Sequence, residues 1–297
     1  MDMFTSSPPL NQPSSQPLSQ PSRLVESSSM IQPIGVKALY GLTLVEDSLL
    51  AVDPFRGYLL RIHPQTGNTQ ILNSRQAESF EGATGVAHWQ GQIWVARDHM
   101  VLVSPLDPIE LTPVLTLPYP ADGVAVWQNT LYVSCKKAGY IFVFDRDSGE
   151  RITQFSAPGI GIQNLSVWGD YLWACDQVEQ SVYALDRATG EVQVKMLTPF
   201  PTPTGLAVPP SLTPEGGALW VAYANEEPYV RDNPNAEVTF ELTFRDRTLL
   251  HRLSFQNQPD QGYCRTNGFL VEMTYVEELD ALEDTTQLHD VEWRIAF

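Results

Sequence analysis

The sequence predicts an all-β fold of the β-propeller class, with five blades as the first expectation and six as the alternative, and three observations predict it. A phrase of the form Gly-Leu/Val-x-Val recurs at Gly41, Gly85, Gly123, Asn164 and Gly205, with spacings of 38 to 44 residues. After a short turn each copy continues into a second strand phrase, such as Leu49-Leu-Ala-Val-Asp53, Ile93-Trp-Val-Ala-Arg97 or Leu172-Trp-Ala-Cys-Asp176. A third element, at 57–67, 139–149 and 180–190, aligns without gaps and runs from an alternating strand into a Thr/Ser-Gly hairpin turn. Four short strands in about 40 residues is the period of a propeller blade. The apolar positions alternate with period two and are rich in Val, Trp and Tyr, which excludes a helical solenoid.

Taken in order, residues 1–33 read as a disordered tail. From Thr5 to Pro33 the chain has nine Ser, six Pro and four Gln, too little apolar surface to offset ordering. No apolar or basic segment makes this stretch a secretory signal. Residues 34–256 read as the propeller. Small residues on the innermost strands, Ala87, Ala125, Ser166 and Ala207, suit a crowded channel wall, and the aromatic positions are expected to fill the space between blades. A propeller must cover its sheet edges, and Ile31-Gln-Pro-Ile34 stands before Gly41 as fourth strands stand before the other anchors. The N-terminal segment is therefore expected to supply the outer strand of the last blade.

After Tyr223 the repeat stops. A polar, Pro-containing insertion follows, then strand patterns at 238–244 and 249–255. Residues 257–297 read as a short C-terminal β segment outside the ring. The sequence ends at Phe297 within an alternating pattern.

Three phrases carry a resemblance to a known family: Met30-Ile-Gln-Pro-Ile-Gly-Val-Lys-Ala-Leu-Tyr-Gly-Leu-Thr-Leu44, Leu117-Pro-Tyr-Pro-Ala-Asp-Gly-Val-Ala-Val126 and Glu241-Leu-Thr-Phe-Arg-Asp-Arg247. Over residues 30–297 the chain resembles the N-terminal propeller region of bacterial transglutaminase-domain proteins. The resemblance implies that 268–297 opens a partial β-sandwich. It also implies that the Cys-His-Asp catalytic core would follow Phe297, so that this chain resembles a truncated product or a separately encoded front half.

Composition narrows the partners. The 297 residues carry 18 Lys+Arg against 35 Asp+Glu, a formal charge of −17. Four lysines cannot build the basic face that nucleic acid or an anionic membrane surface requires. Cys135, Cys175 and Cys264 are widely spaced with no CxxC pair, which argues against a disulfide framework and for a reducing, cytoplasmic compartment.

The repeat nominates two rings of ligand-binding positions. Tyr40, Thr84, Asp122, Gln163 and Thr204 precede the anchors and should line one mouth of the channel. Asp53, Arg97, Cys135, Asp176 and Tyr223 end the second strands. A catalytic divalent cation needs several carboxylates, and the first ring offers Asp122 alone. Asp53 and Asp176 read more simply as caps on turn N–H groups. Asp145-Arg-Asp-Ser-Gly-Glu150 resembles a calcium loop but matches the hairpin turns of two other blades. No G-x-S-x-G, HExxH or dinucleotide fingerprint is present, and Cys135 and Cys175 read as packing thiols. In the long insertion, Tyr229 and Arg231 are recognition candidates. The expected function is a non-enzymatic module that binds a protein or peptide, with no cofactor, no metal and no catalytic residue. The alternative is a propeller enzyme of the gluconolactonase or virginiamycin B lyase type.

Overall fold

A computed structural model of the protein describes residues 36–223, apart from 37, 65, 74–78, 199–201 and 211–215. It also describes the strand backbone at 22–23, 25–31, 237–244, 247–256, 269–276 and 292–296. The chain opens with β1 (Ser22–Arg23) and β2 (Val25–Ile31). The first repeat forms β3 (Tyr40–Val45), β4 (Ser48–Asp53), β5 (Tyr58–Ile62) and β6 (Thr69–Ile71). The second forms β7 (Ala83–Trp89), β8 (Gln92–Arg97), β9 (Met100–Pro105) and β10 (Thr112–Thr116). The third forms β11 (Gly123–Trp127), β12 (Thr130–Cys135), β13 (Tyr140–Asp145) and β14 (Arg151–Ser156). The fourth forms β15 (Ile162–Trp168), β16 (Tyr171–Asp176), β17 (Ser181–Asp186) and β18 (Val192–Leu197). Each repeat is one antiparallel sheet in sequence order, and β1 adds in parallel to the outer edge of β18.

Turn chemistry explains why each repeat folds back on itself. The first hairpin of each blade opens on Glu46, Gln90, Gln128 or Gly169, all left-handed with φ of 50–58°, as two-residue hairpin turns require. In the third and fourth repeats the third-to-fourth turns are held by aspartates. Asp145 Oδ1 accepts the N–H groups of Asp147 and Ser148 at 3.2 and 2.8 Å, and Asp186 Oδ1 accepts those of Ala188 and Thr189 at 2.9 and 2.8 Å. The segment beginning at Asp145 is thus a hairpin turn.

Among the described residues the regular blades number four, where five or six were expected. The remaining strands are β19 (Pro203–Ala207), β20 (Gly216–Tyr223), β21 (Glu237–Phe244), β22 (Arg247–Gln256), β23 (Phe269–Val276) and β24 (Glu292–Ala296). They join β2 in one seven-stranded sheet of order β19-β20-β23-β2-β22-β21-β24. The departure has a sequence cause. The fifth anchor supplies β19 and β20, but the phrase that forms a third strand elsewhere does not follow. Its place is taken by β23, which pairs with β20 from Gly216↔Val276 to Tyr223↔Phe269. β2 lies outside β23, so the N-terminal segment does supply a strand to the last sheet, from Val25 rather than from Ile31. That sheet draws on all three expected segments, 1–33, 34–256 and 257–297. Residues 1–21 lie outside the described residues.

The innermost strands β3, β7, β11, β15 and β19 touch in succession, and β19 returns to β3. Their contact explains the repeating glycine. A Cβ on Gly41 would stand 2.5 Å from the Val86 nitrogen, one on Gly85 2.9 Å from the Gly123 Cα, and one on Gly123 2.7 Å from the Asn164 Cα. On Gly205 it would lie 2.9 Å from the Gly41 carbonyl carbon. At these four places the strands meet backbone to backbone, leaving no room for a Cβ. Farther from the axis, apolar clusters lie between neighbouring sheets. Val52, Leu59 and Phe80 pack with Val86 and Val95, and Val101 and Trp94 pack with Val133 and Phe142. Tyr132 and Ile141 pack with Leu172 and Tyr183, while Leu42 and Leu49 pack with Ala207 and Ala222 across the closure. Each fully buried aliphatic side chain contributes about 1.5–3 kcal/mol.

Candidate functional site

The two rings named by the repeat lie at the same end of the channel. Each second strand runs back toward the start of the first, so Tyr40 pairs with Val52 beside Asp53, Ile162 with Asp176, and Pro203 with Tyr223. Most polar groups at this mouth bond to the protein itself. Thr84 Oγ1 donates toward the Ala121 and Ala96 carbonyls at 2.9 and 3.3 Å, and Thr204 Oγ1 toward those of Leu39 and Ala222 at 2.6 and 3.2 Å. Both hydroxyls therefore link neighbouring sheets. Arg97 Nη1 donates to the Ser79 carbonyl at 2.9 Å.

Asp122 is the carboxylate of the first ring, and Lys136 lies on it. Asp122 Oδ2 accepts the Lys136 backbone N–H at 2.7 Å, and the ammonium stands 3.2 Å from Oδ1. The same ammonium donates to Gln163 Oε1 at 2.5 Å, joining the third repeat to the fourth. Burial pushes the Asp122 carboxyl above its ordinary value, and Lys136 opposes that rise. Lys136 was missed in the sequence because it falls one residue beyond the aligned ring position.

Asp53 and Asp176 are fully buried and cap turns, as their simpler reading expected. Asp53 Oδ1 accepts the Phe55 and Arg56 N–H groups at 3.2 and 3.3 Å. Asp176 accepts those of Val178 and Glu179 on Oδ1, both at 2.8 Å, and that of Gly161 on Oδ2 at 2.7 Å. The Cys135 and Cys175 thiols are buried, and burial pushes each up to about 12. At that value the nucleophilic thiolate is scarce near neutral pH. Tyr40 is half-buried, and burial raises its phenol as well. Tyr223 is buried. Tyr229, Arg231 and Cys264 lie outside the described residues. Among the described residues no three His, Cys, Asp or Glu side chains stand close enough to hold a metal ion.

The opposite mouth carries a feature that sequence reasoning assigned to packing between blades. The last residues of β7, β11 and β15 are Trp89, Trp127 and Trp168, and their rings form a continuous arc. The centroids of Trp89 and Trp127 are 5.3 Å apart, and those of Trp127 and Trp168 are 5.0 Å apart in an edge-to-face arrangement. The arc lines a cavity of about 280 Å³ together with Thr43, Ala87, Ala125 and Ser166 from the inner strands. Glu46, His88 and Gln90 complete its polar side. Burial lowers the His88 imidazole below its ordinary value, with Arg61 adding to that and Glu46 opposing it. The buried tryptophans Trp94, Trp173 and Trp220 sit on second strands instead. The signal was present in Trp89, Trp127 and Trp168 occupying equivalent places. It was obscured by Val45 and Pro209 at the corresponding places of the other two repeats.

A second cavity, about 460 Å³, lies between the second and third blades. Tyr140, Phe142 and Phe144 line it from β13, Tyr119 from the preceding connection, and Arg151 from β14 over the Phe142 ring at 5.9 Å.

No protein-family model matches this sequence, and no curated protein matches it. Among solved structures the chain is similar to the glutaminyl cyclase of Myxococcus xanthus, with a TM-score of 0.53 and 15% identity over 69% of this chain and 93% of that one. A chain of the nidogen/laminin complex is a weaker likeness, with a TM-score of 0.42 and 13% identity over 55% of this chain and 81% of that one. At such identity the cyclase likeness speaks to the propeller fold.

Proposed function

We propose that the chain is a non-enzymatic β-propeller module, with the seven-stranded sheet as a composite fifth blade, that binds a peptide or a segment of a partner protein at its tryptophan-lined mouth. The observation that carries this reading is the arc of Trp89, Trp127 and Trp168 around an open cavity. Tryptophan supplies large contact area with little conformational entropy to lose, and it dominates the energetics of recognition surfaces. The partner suggested by the family resemblance is a neighbouring transglutaminase-like domain, which the propeller would position.

The rival reading is a propeller enzyme with a cation at the Asp122 mouth, of lactonase or lyase type, or with the cyclase activity named for the Myxococcus protein. Lys136 weighs against it. An ammonium 3.2 Å from the carboxylate already supplies the opposite charge there, and a hard cation wants six or more oxygens.

Selection of a displayed random-peptide library on the full chain tests the reading, with Trp168→Ala as the counter-target. Trp168 is 40% exposed, so its removal leaves the core intact, and thermal melts verify that. Peptides enriched on the parent and lost on Trp168→Ala are the expected result. Equal enrichment on both proteins, or none on either, overturns it.

A further inference from the structure

The tryptophan mouth also selects among ligand chemistries, an inference that rests on reading it as the binding site. At about 280 Å³ the cavity is just below the range that holds a drug-sized molecule, roughly 300–1,000 Å³. It therefore fits one side chain or one small head group. An anion has no charge partner on the walls: neither lysine nor arginine is among the described residues that line the cavity, and Arg61, which acts on His88, stands outside that lining. A flat aromatic ligand would have to part rings that already touch at 5.0 and 5.3 Å. A group rich in hydrogen-bond donors would find few side-chain acceptors beside Glu46, His88, Gln90, Thr43 and Ser166.

What the walls do offer is aromatic surface from three successive blades with one carboxylate, the exposed Glu46, at the rim. That combination suits a cation whose charge is spread over methyl groups. Such a cation is weakly hydrated, needs no hydrogen bonds, and gains from the negative face of an indole more than from any other aromatic ring. The charge of −17 on the whole chain adds attraction at a distance. His88 does not oppose it, since burial keeps the imidazole on the neutral side near neutral pH.

We propose that the tryptophan mouth binds a methylated ammonium group, whether carried by a trimethyllysine side chain or by choline. Calorimetric titration of the full chain tests this with three probes: choline, a short peptide containing Nε-trimethyllysine, and 3,3-dimethylbutan-1-ol, which has the shape of choline without its charge. The expected result is binding of at least one cation, with the neutral probe weaker by tenfold or more. Glu46→Gln and Trp168→Ala should each weaken the cation by about fivefold, a difference of about 1 kcal/mol, while the melting temperature stays within a degree or so of the parent. A peptide that binds tenfold tighter than choline assigns the site to a protein side chain; the reverse order assigns it to a small molecule. Equal binding of the neutral probe, indifference to Glu46→Gln, or no heat from either cation overturns the proposal. If library peptides without a methylated cation still require Trp168, the mouth stands as a binding site and only the ligand class falls.

Discussion

Asn164 on the inner strand of the fourth blade accepts, through Oδ1, the backbone N–H of Leu206 on the next inner strand at 3.0 Å, with both residues buried. Asn164 takes the anchor place that Gly41, Gly85, Gly123 and Gly205 hold elsewhere, and its side chain joins β15 to β19. Leu206 lies in β19, where the regular repeat gives way to the composite sheet. This bond ties the fourth blade to the closing sheet, as Thr204 Oγ1 on the Leu39 carbonyl ties that sheet to the first.

Replacing Asn164 with alanine leaves the Leu206 N–H buried without that acceptor, at a cost of about 1–3 kcal/mol. Asn164→Gly is the more telling variant, because it restores the residue of the other four anchors. We expect it to be destabilising too, by a similar amount in chemical denaturation. A stabilised Asn164→Gly protein would mean that asparagine is merely a poor glycine there.

At Gly123 an added methyl would meet the Asn164 Cα at 2.7 Å and Ser134 Oγ at 2.8 Å. Overpacking of this kind costs about 1–3 kcal/mol or more. Gly85→Ala should behave alike, with the Gly123 Cα at 2.9 Å. Thermal melts of the two variants within a degree of the parent would contradict direct contact between inner strands.

The thiols offer a kinetic check. With Cys264 replaced by serine, the native protein should show no fast reaction with a thiol-exchange reagent at about pH 8, since Cys135 and Cys175 are buried and their pKa is pushed up to about 12. Unfolding in guanidinium should release two reactive thiols. A fast native thiol would revive a nucleophilic role for one of them.

Stability in acid should depend on the hairpin aspartates. The Ser148 backbone N–H, followed by its hydroxyl, holds Asp145 below the ordinary carboxylate range; the Thr189 and Ala188 N–H groups do the same for Asp186. A value lower in the folded chain than in the unfolded one contributes stability above the unfolded value, and that stability is lost as pH falls through the folded value. Asp122 has the opposite sign, because burial raises it, so its ionisation weakens the fold as pH rises through its folded value. The double variant Asp145→Asn, Asp186→Asn should lose less melting temperature between about pH 6 and about pH 3 than the parent. An equal loss would show that these turns do not control the acid limb.

The class of fold was legible because period-two alternation and glycine anchors are local signals. Gly41, Gly85, Gly123 and Gly205 mark the repeat in the sequence, while the reason for them, a backbone approach across the ring, exists only once the ring is closed. Asp53 and Asp176 were readable as turn caps because a carboxylate before a turn meets N–H groups two and three residues away. Partner choice was not readable. Alternation identifies β21 and β23 as strands without saying which of them lies beside β20. Lys136 was hidden for a related reason, since its contact with Gln163 spans 27 residues and two blades. The tryptophan arc was legible as composition but not as placement, because an aromatic at a strand end can face a neighbouring blade or an open mouth.

Calorimetric titration of Ca²⁺, Zn²⁺ and Mn²⁺ into the full chain, run beside lactone-hydrolysis assays on the parent and on Asp122→Ala, tests the proposal that the module is non-enzymatic. Acyl transfer by a thiol would need a cysteine activated by a histidine, and hydrolysis by a bound cation would need free carboxylates, whereas Lys136 faces Asp122 at 3.2 Å and turn N–H groups occupy Asp53 and Asp176. No stoichiometric heat and no turnover are expected from either protein. Micromolar binding of one cation to the parent, lost together with turnover in Asp122→Ala, would contradict it.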